Sequence, residues 1–306
     1  MATGQLFTWD ARGWEREPVA AFEAFLTGRE FGGRKLRPSS FNIYRGQFLR
    51  LLTWLQEQGR ALHELDAARL DLFLATRELR AETRHRYLLV FTDLYRHLGT
   101  LRRQEDNPAY ELLLEQQAPE REEPEALTPD EVRAVFRALP RKEGWKHHRF
   151  RAMLWLLTGA GLRPTEILTL RSKDLNADCT SVWVMPHKPR PERTVPLHWK
   201  TRDVVLGWLA ERKALGIPGE LLFPANTAGA PLAASTLFRQ VKKLLEEAGV
   251  SRRYEGAMLL RNTRGASWLA RHPVHKVQAW LGHELERTTE QLLPASEAWR
   301  AAALLD

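Results

Sequence analysis

Four short stretches of the chain hold residue types able to handle a phosphate group. "GLRPTE" carries Arg163 and Glu166, "PHKPRPER" carries Lys188 and Arg190, "LLRNTR" carries Arg261, and "LGHELERTTEQLL" carries His283, Thr288 and Thr289. A guanidinium is a planar fork that donates paired, charge-assisted hydrogen bonds to an oxyanion. Two of them suit the negative charge that spreads over nonbridging oxygens when a phosphodiester is transferred. A lysine on a turn delivers a proton to a leaving oxygen if its pKa is lowered near that site. The same residues admit a plainer reading. Arg163 and Arg261 would then be structural arginines paired with an acid such as Glu166, Lys188 a solvated turn lysine, and His283 a helix cap or core contact.

The elements that must position these residues show in the spacing of apolar side chains. Tyr44, Phe48, Leu51 and Leu55 recur at helical intervals after a candidate N-cap at Ser39 or Ser40, and Tyr87, Phe91, Leu94 and Leu98 repeat the arrangement. With "PVAAFEAFL" and "AARLDLFLA" they predict four helices that bury their apolar stripes as a small bundle over residues 15–114, after an extension at 1–14. Residues 115–126 combine two prolines with five glutamates and read as an exposed acidic linker. "LTPDEVRAVFRAL" then opens a second domain, 127–306, on a capping box from Thr128 to Glu131 with Pro129 at the first helical position. "SVWVMPHKPRPERTVPL" predicts a hairpin around a Pro-rich basic turn, and helical patterns resume from Ala233. The fold class is therefore mainly α, with a small antiparallel sheet in the second domain.

Bulk properties narrow the role. The net charge is +8, and residues 127–306 hold 28 Lys/Arg against 18 Asp/Glu. A polyanionic partner fits that excess. The single cysteine, Cys179, excludes an internal disulfide; no apolar run reaches the roughly 18 residues of a membrane span, and the N-terminal stretch has no apolar core. A cytoplasmic, nucleoid-associated protein without membrane, metal or cofactor is the expectation.

The stretch "LLTGAGLRPTEILTLRSKDL" resembles the first active-site box of the tyrosine recombinases, the family of lambda-type integrases and Xer recombinases. Arg163 falls at that family's first catalytic arginine and Glu166 at a supporting carboxylate one turn later. "HKPRPERTVPL" is similar to the family's Gly-Lys-Gly-x-x-Lys-Glu-Arg-x-x-Pro-Leu turn, with Lys188 at the catalytic lysine. "MLLRNTRGASWL" aligns with the His-x-x-Arg box, so Arg261 is the second arginine and Met258 stands where the histidine belongs. Gly282 and His283 match the Leu-Gly-His motif, and nine residues beyond His283, where the family has tyrosine, stands Leu292. "PSSFNIYRGQFLRLLTWLQEQG" and "NPAYELLL" look like the helical core-binding domain and its exit, which extends the likeness over roughly residues 15–295.

The resemblance implies two domains closing on duplex DNA as a C-shaped clamp, with Arg163, Arg261, Lys188 and Arg190 on phosphates from the second domain. Arg80, Arg84 and Arg86, with His85, and Arg34 and Lys35, with Arg37, form basic groups in the first domain that are either solvated faces or further phosphate contacts. Leucine carries no nucleophilic atom and a thioether is only a weak acceptor, so Leu292 and Met258 disable two of six active-site positions. The expectation is a DNA-binding pseudoenzyme of DNA recombination or integration that does not cleave alone and that assists or regulates an active recombinase. Arg163 or Arg261 should then be replaceable by alanine with loss of binding but not of fold. Two alternatives stay open: an active recombinase with an unusual nucleophile (Tyr254, Thr288, Thr289, or a tyrosine supplied in trans), and a protein-interaction scaffold. Thr288 with Gln291 reads first as a helix capping box. The tail "LPASEAWRAAALLD" packs either on a neighbour, as a means of self-association, or on its own domain.

Overall fold

The computed structural model describes residues 10–28, 30–31, 34–102, 106–115, 123–185, 192–253 and 255–303. The chain divides into two compact units, Met1–Arg121 and Glu122–Asp306. In the first, α1 (Ala11–Arg16), α2 (Pro18–Gly28), α3 (Pro38–Glu57), α4 (Ala67–Ala75), α5 (Ala81–Arg102) and α6 (Pro108–Glu115) enclose an aromatic core, with a two-residue ladder of β1 (Glu30–Phe31) on β2 (Arg34–Lys35). Phe22 stacks on Phe48 at 4.1 Å between ring centroids, and Phe25, Leu51, Leu55, Leu70, Phe73 and Leu94 close around them. The four expected helices are α2 to α5; α1 and α6 are additional. The N-cap of α3 is Arg37 rather than Ser39 or Ser40, because Pro38 occupies the first turn, where its fixed φ and missing N–H carry no penalty.

The second unit is built on α8 (Trp145–Ala160), whose Phe150, Met153, Leu154, Leu156 and Leu157 are all buried. Around it lie α7 (Pro129–Arg137), α9 (Pro164–Thr169), the hairpin β3 (Ser181–Val184) with β4 (Arg193–Pro196), α10 (Trp199–Ala214), α11 (Ala234–Glu247), α12 (Ala257–Leu269), α13 (Val274–Leu281), α14 (Glu286–Glu290) and α15 (Leu293–Ala303). The capping box forms as written: Thr128 Oγ1 accepts from the Glu131 N–H at 3.3 Å, and Glu131 Oε2 accepts from the Thr128 N–H at 2.8 Å. The strands are antiparallel, with Val182 opposite Val195 and Val184 opposite Arg193. The fold is thus mainly helical with a small antiparallel sheet.

Two expectations need correction here. Helical structure resumes at Trp199, not Ala233: α10 buries only Thr201, Val205 and Trp208, a stripe too thin to stand out among its charges. It meets α8 closely enough that a methyl group at Gly159 would collide with Thr201. Thr288 is not an N-cap, since Leu285 holds that place before α14 and Thr288 is exposed inside the helix. The tail folds onto its own unit. Trp299 Nε1 donates to the Leu127 carbonyl at 3.1 Å, and Ser296 is fully buried. Among the described residues no helix is long and apolar enough to cross a membrane.

Candidate functional site

The C-terminus of α13 organises the site. A helix end leaves carbonyls without intrahelical partners and carries the negative pole of the helix dipole, so cations are favoured there. Three consecutive carbonyls at this end each take an arginine. Trp280 O accepts from Arg193 Nε at 2.8 Å, Leu281 O from an Arg261 Nη, and Gly282 O from an Arg163 Nη at 2.7 Å. Gly282 turns the chain out of the helix in the left-handed conformation (φ 62°), and a Cβ there would press on the Arg193 guanidinium. Gly161, the left-handed cap of α8 (φ 57°), gives its carbonyl to the other Nη of Arg261 at 2.6 Å.

Glu166 ties two of these arginines together. Pro164 opens α9, and the Glu166 carboxylate folds back from the third helical position to accept the Arg163 N–H at 2.7 Å. The same carboxylate accepts from Arg163 Nη1 at 2.8 Å and from both Nη atoms of Arg193, at 2.9 and 2.7 Å. Burial by itself would raise its pKa. The hydrogen bonds and charge of Arg193, and then those of Arg163, outweigh burial and bring it down to about 2. Among the described residues, three guanidiniums stand here with one carboxylate.

Arg163 retains 14% of its side-chain surface, whereas Arg261 is only 1% exposed. The two expected phosphate ligands therefore differ: Arg163 lies at the surface of the group, and Arg261 is a buried strut holding two helix ends. Replacement of Arg261 without cost to the fold, expected from sequence, does not agree with that burial. Arg193 is a member of this group that sequence spacing does not mark. Its signal was the Glu-Arg of the turn "PERTVPL", but nothing in the spacing shows that Glu166 has two arginine partners. Lys188, Arg190 and Tyr254 lie outside the described residues.

His283 follows Gly282. Its Nδ1 is 2.9 Å from Thr289 Oγ1, and its carbonyl accepts from Gln278 Nε2 at 3.2 Å. Thr289 is fully buried in this contact. Met258, in the first turn of α12, is 44% exposed. Leu292 is buried and turned into the core, where a methyl group added at Gly265 would sit 2.6 Å from its Cδ1. Of the first-unit candidates, Lys35, Arg80 and Arg86 are exposed, Arg34 lies in β2, and Arg84 pairs with Asp71 at 2.5 Å.

Residues 125–294 match the model of the phage integrase family. The tyrosine recombinase XerH of Helicobacter pylori is 27% identical over 138 residues, covering 44% of this chain and 38% of the relative. A putative integrase/recombinase of Sinorhizobium fredii, 31% identical, is matched over 34% of its length, so the chain spans little more than a third of both of these relatives. XerD of Caulobacter vibrioides is 27% identical over 249 residues, 78% of this chain and 79% of that protein. Among solved structures, XerH bound to a palindromic difH substrate superposes with a TM-score of 0.70 at 21% identity, covering 93% of this chain and 84% of the other. A lambda integrase dimer bound to a COC′ core site gives 0.68 at 17% identity, over 94% and 77% of the two chains. With the arginine, hairpin and Leu-Gly-His segments all inside the matched span, this chain belongs to the phage integrase family, the tyrosine recombinases.

Proposed function

We propose that the chain binds duplex DNA through the arginine group at the end of α13 and forms no covalent DNA intermediate by itself. The observation that carries this is the convergence of Arg163, Arg193 and Arg261 on the end of α13, where among the described residues Glu166 is the carboxylate that pairs with two of them and Arg163 stays partly exposed. A DNA phosphate is the anion that the family's solved complexes, XerH with difH and lambda integrase with its core site, supply by their own composition. Leu292 supports the second half of the reading, since a hydrocarbon packed against Gly265 offers neither a nucleophile nor an open place for one. Thr289 is engaged with His283 and is no free hydroxyl. In this reading the protein occupies a recombination site and marks it for, or regulates, an active recombinase.

Fluorescence anisotropy with a labelled duplex across a salt series tests binding. Log affinity should fall linearly with log salt as counterions are released. Arg163→Ala should weaken it by about 1.5–3 kcal/mol, the range for a hydrogen bond to a charged group. Salt-independent affinity, or normal binding by Arg163→Ala, would overturn the interface. A nicked duplex that traps covalent intermediates tests the second half, and an adduct on the unmodified chain would refute it.

A further inference from the structure

One turn beyond Arg261 on α12, a second group of cations stands outside the arginine–glutamate network. Arg264 lays its guanidinium over the Trp268 ring, 4.5 Å from the centroid. Its Nε is sealed from water and has no hydrogen-bond partner. Among the described residues no carboxylate pairs with it. Burial, and then the charge of Arg271, bring its pKa down to about 10. A sealed donor without an acceptor is unfavourable, and native structures seldom leave one without a reason.

Further groups of the same sign lie along three neighbouring elements. From α12 and its end come Arg271 and His272; from α13 comes Lys276, whose Nζ is 5.0 Å from the centroid of Trp280. Trp280 joins the two helices, tilted against Trp268 at 5.0 Å and met edge-on by His272 at 4.9 Å. From the start of α10 come Lys200, 5.2 Å from the centroid of exposed Trp199, and His198, whose Nδ1 accepts the Lys200 N–H at 3.2 Å. That contact places the proton of a neutral His198 on Nε2. Burial and then Arg264, Lys200 and Arg271 lower the pKa of His198; burial and then Lys276, Arg264 and Arg271 lower that of His272. No carboxylate is among the groups acting on either ring.

We propose that Arg264, Arg271, His198, His272, Lys200 and Lys276 form a second oxyanion site, separate from the Arg163–Arg193–Arg261 group, that takes a phosphate. Phosphate fits better than carboxylate, because its oxygens radiate toward donors on three helices, whereas one carboxylate satisfies one fork. The proposal stands whether or not the first group binds DNA. The phosphate is either free or part of a nucleic-acid backbone, and the two sources separate by experiment.

The test is proton NMR of the full chain, following the His198 and His272 Cε1–H resonances, assigned through His198→Gln and His272→Gln. The protein is titrated with inorganic pyrophosphate and, separately, with a short DNA duplex, each against sodium chloride at equal ionic strength. A bound anion favours the imidazolium, so both resonances should move toward the protonated position at neutral pH. Arg264→Met and Arg271→Gln should each shift the midpoint by about tenfold or more, and Lys243→Gln, at an exposed lysine on α11, should leave it in place. Movement with pyrophosphate alone identifies free phosphate as the source. Movement with the duplex at equal ionic strength, lost with Arg271→Gln, identifies the DNA backbone. If circular dichroism shows that Arg264→Met does not fold, exposed Arg271 decides the matter through its own variant. Resonances that follow only ionic strength, or a Lys243→Gln effect as large as that of Arg271→Gln, would overturn the site.

Discussion

Glu166→Gln removes the charge of the carboxylate that pairs with Arg163 and Arg193 while keeping its shape. Glu166 is 6% exposed, so solvent screens the interaction little. Its pKa stands at about 2 against an ordinary 4.5, and at 1.36 kcal/mol per pH unit this depression contributes about 3 kcal/mol to the folded state at neutral pH. The sign follows from the direction. A depressed carboxylate stabilises fully above its unfolded value near 4.5, and the contribution is lost as pH falls toward 2. The variant should therefore be about 3 kcal/mol less stable than the parent at pH 7, with the gap narrowing only below about pH 4.5 and closing near pH 2. Because two units can unfold separately, the measurement should be hydrogen exchange across a urea series, read on peptides of α9 and α13. A gap below about 1 kcal/mol at pH 7, or one that does not change with pH, would refute the assignment of Glu166 as the anchor of the arginine group.

Gly265→Ala should destabilise by about 1–3 kcal/mol through overpacking on Leu292, and Leu292→Ala by about 2–5 kcal/mol through a cavity. Combined, they should cost clearly less than their sum in thermal melts; strict additivity would mean the two side chains do not meet. Arg261→Ala should lower stability by about 2 kcal/mol or more, because the Gly161 and Leu281 carbonyls lose their donor, and an unchanged melting curve would remove its role as a strut. Leu292→Tyr with Met258→His should give a trapped phosphotyrosyl adduct only once the phenol leaves the space that Leu292 fills. The expected yield is low and sensitive to Arg163→Ala. An adduct insensitive to Arg163 would show that the arginine group is not the site of the chemistry.

Local signals were readable wherever a single element carries them. Thr128 and Glu131 formed the cap their spacing announced, and the β-branched segments Ser181–Val184 and Arg193–Pro196 paired as strands. The four apolar stripes of the first unit became α2 to α5 for the same reason. What sequence did not show depends on which side chains share a carbonyl or carboxylate across the fold. Arg193 is 27 residues from Glu166, Arg261 is 100 residues from Gly161, and no periodicity links them. Thr288 and Gln291 had the letters of a cap, but the chain left Gly282 early enough for a helix to begin at Glu286. Arg264 is a similar case. Its charge acts on His198 at the start of α10, and in the sequence it is one more arginine on a basic helix.

The three arginines seated on the carbonyls of Trp280, Leu281 and Gly282 carry a consequence for how such chains change over time. A side chain used only to hold substrate becomes dispensable once the reaction is abandoned, and drift erases it. Arg193 and Arg261 also close a helix end and a buried charge pair, so their loss is opposed by stability alone. On the proposed reading, a lineage that gave up its nucleophile would thereby be compelled to keep much of the arginine surface around it. Surviving arginines in a relative of this chain therefore testify first to an intact scaffold, whatever residue stands at the position of Leu292.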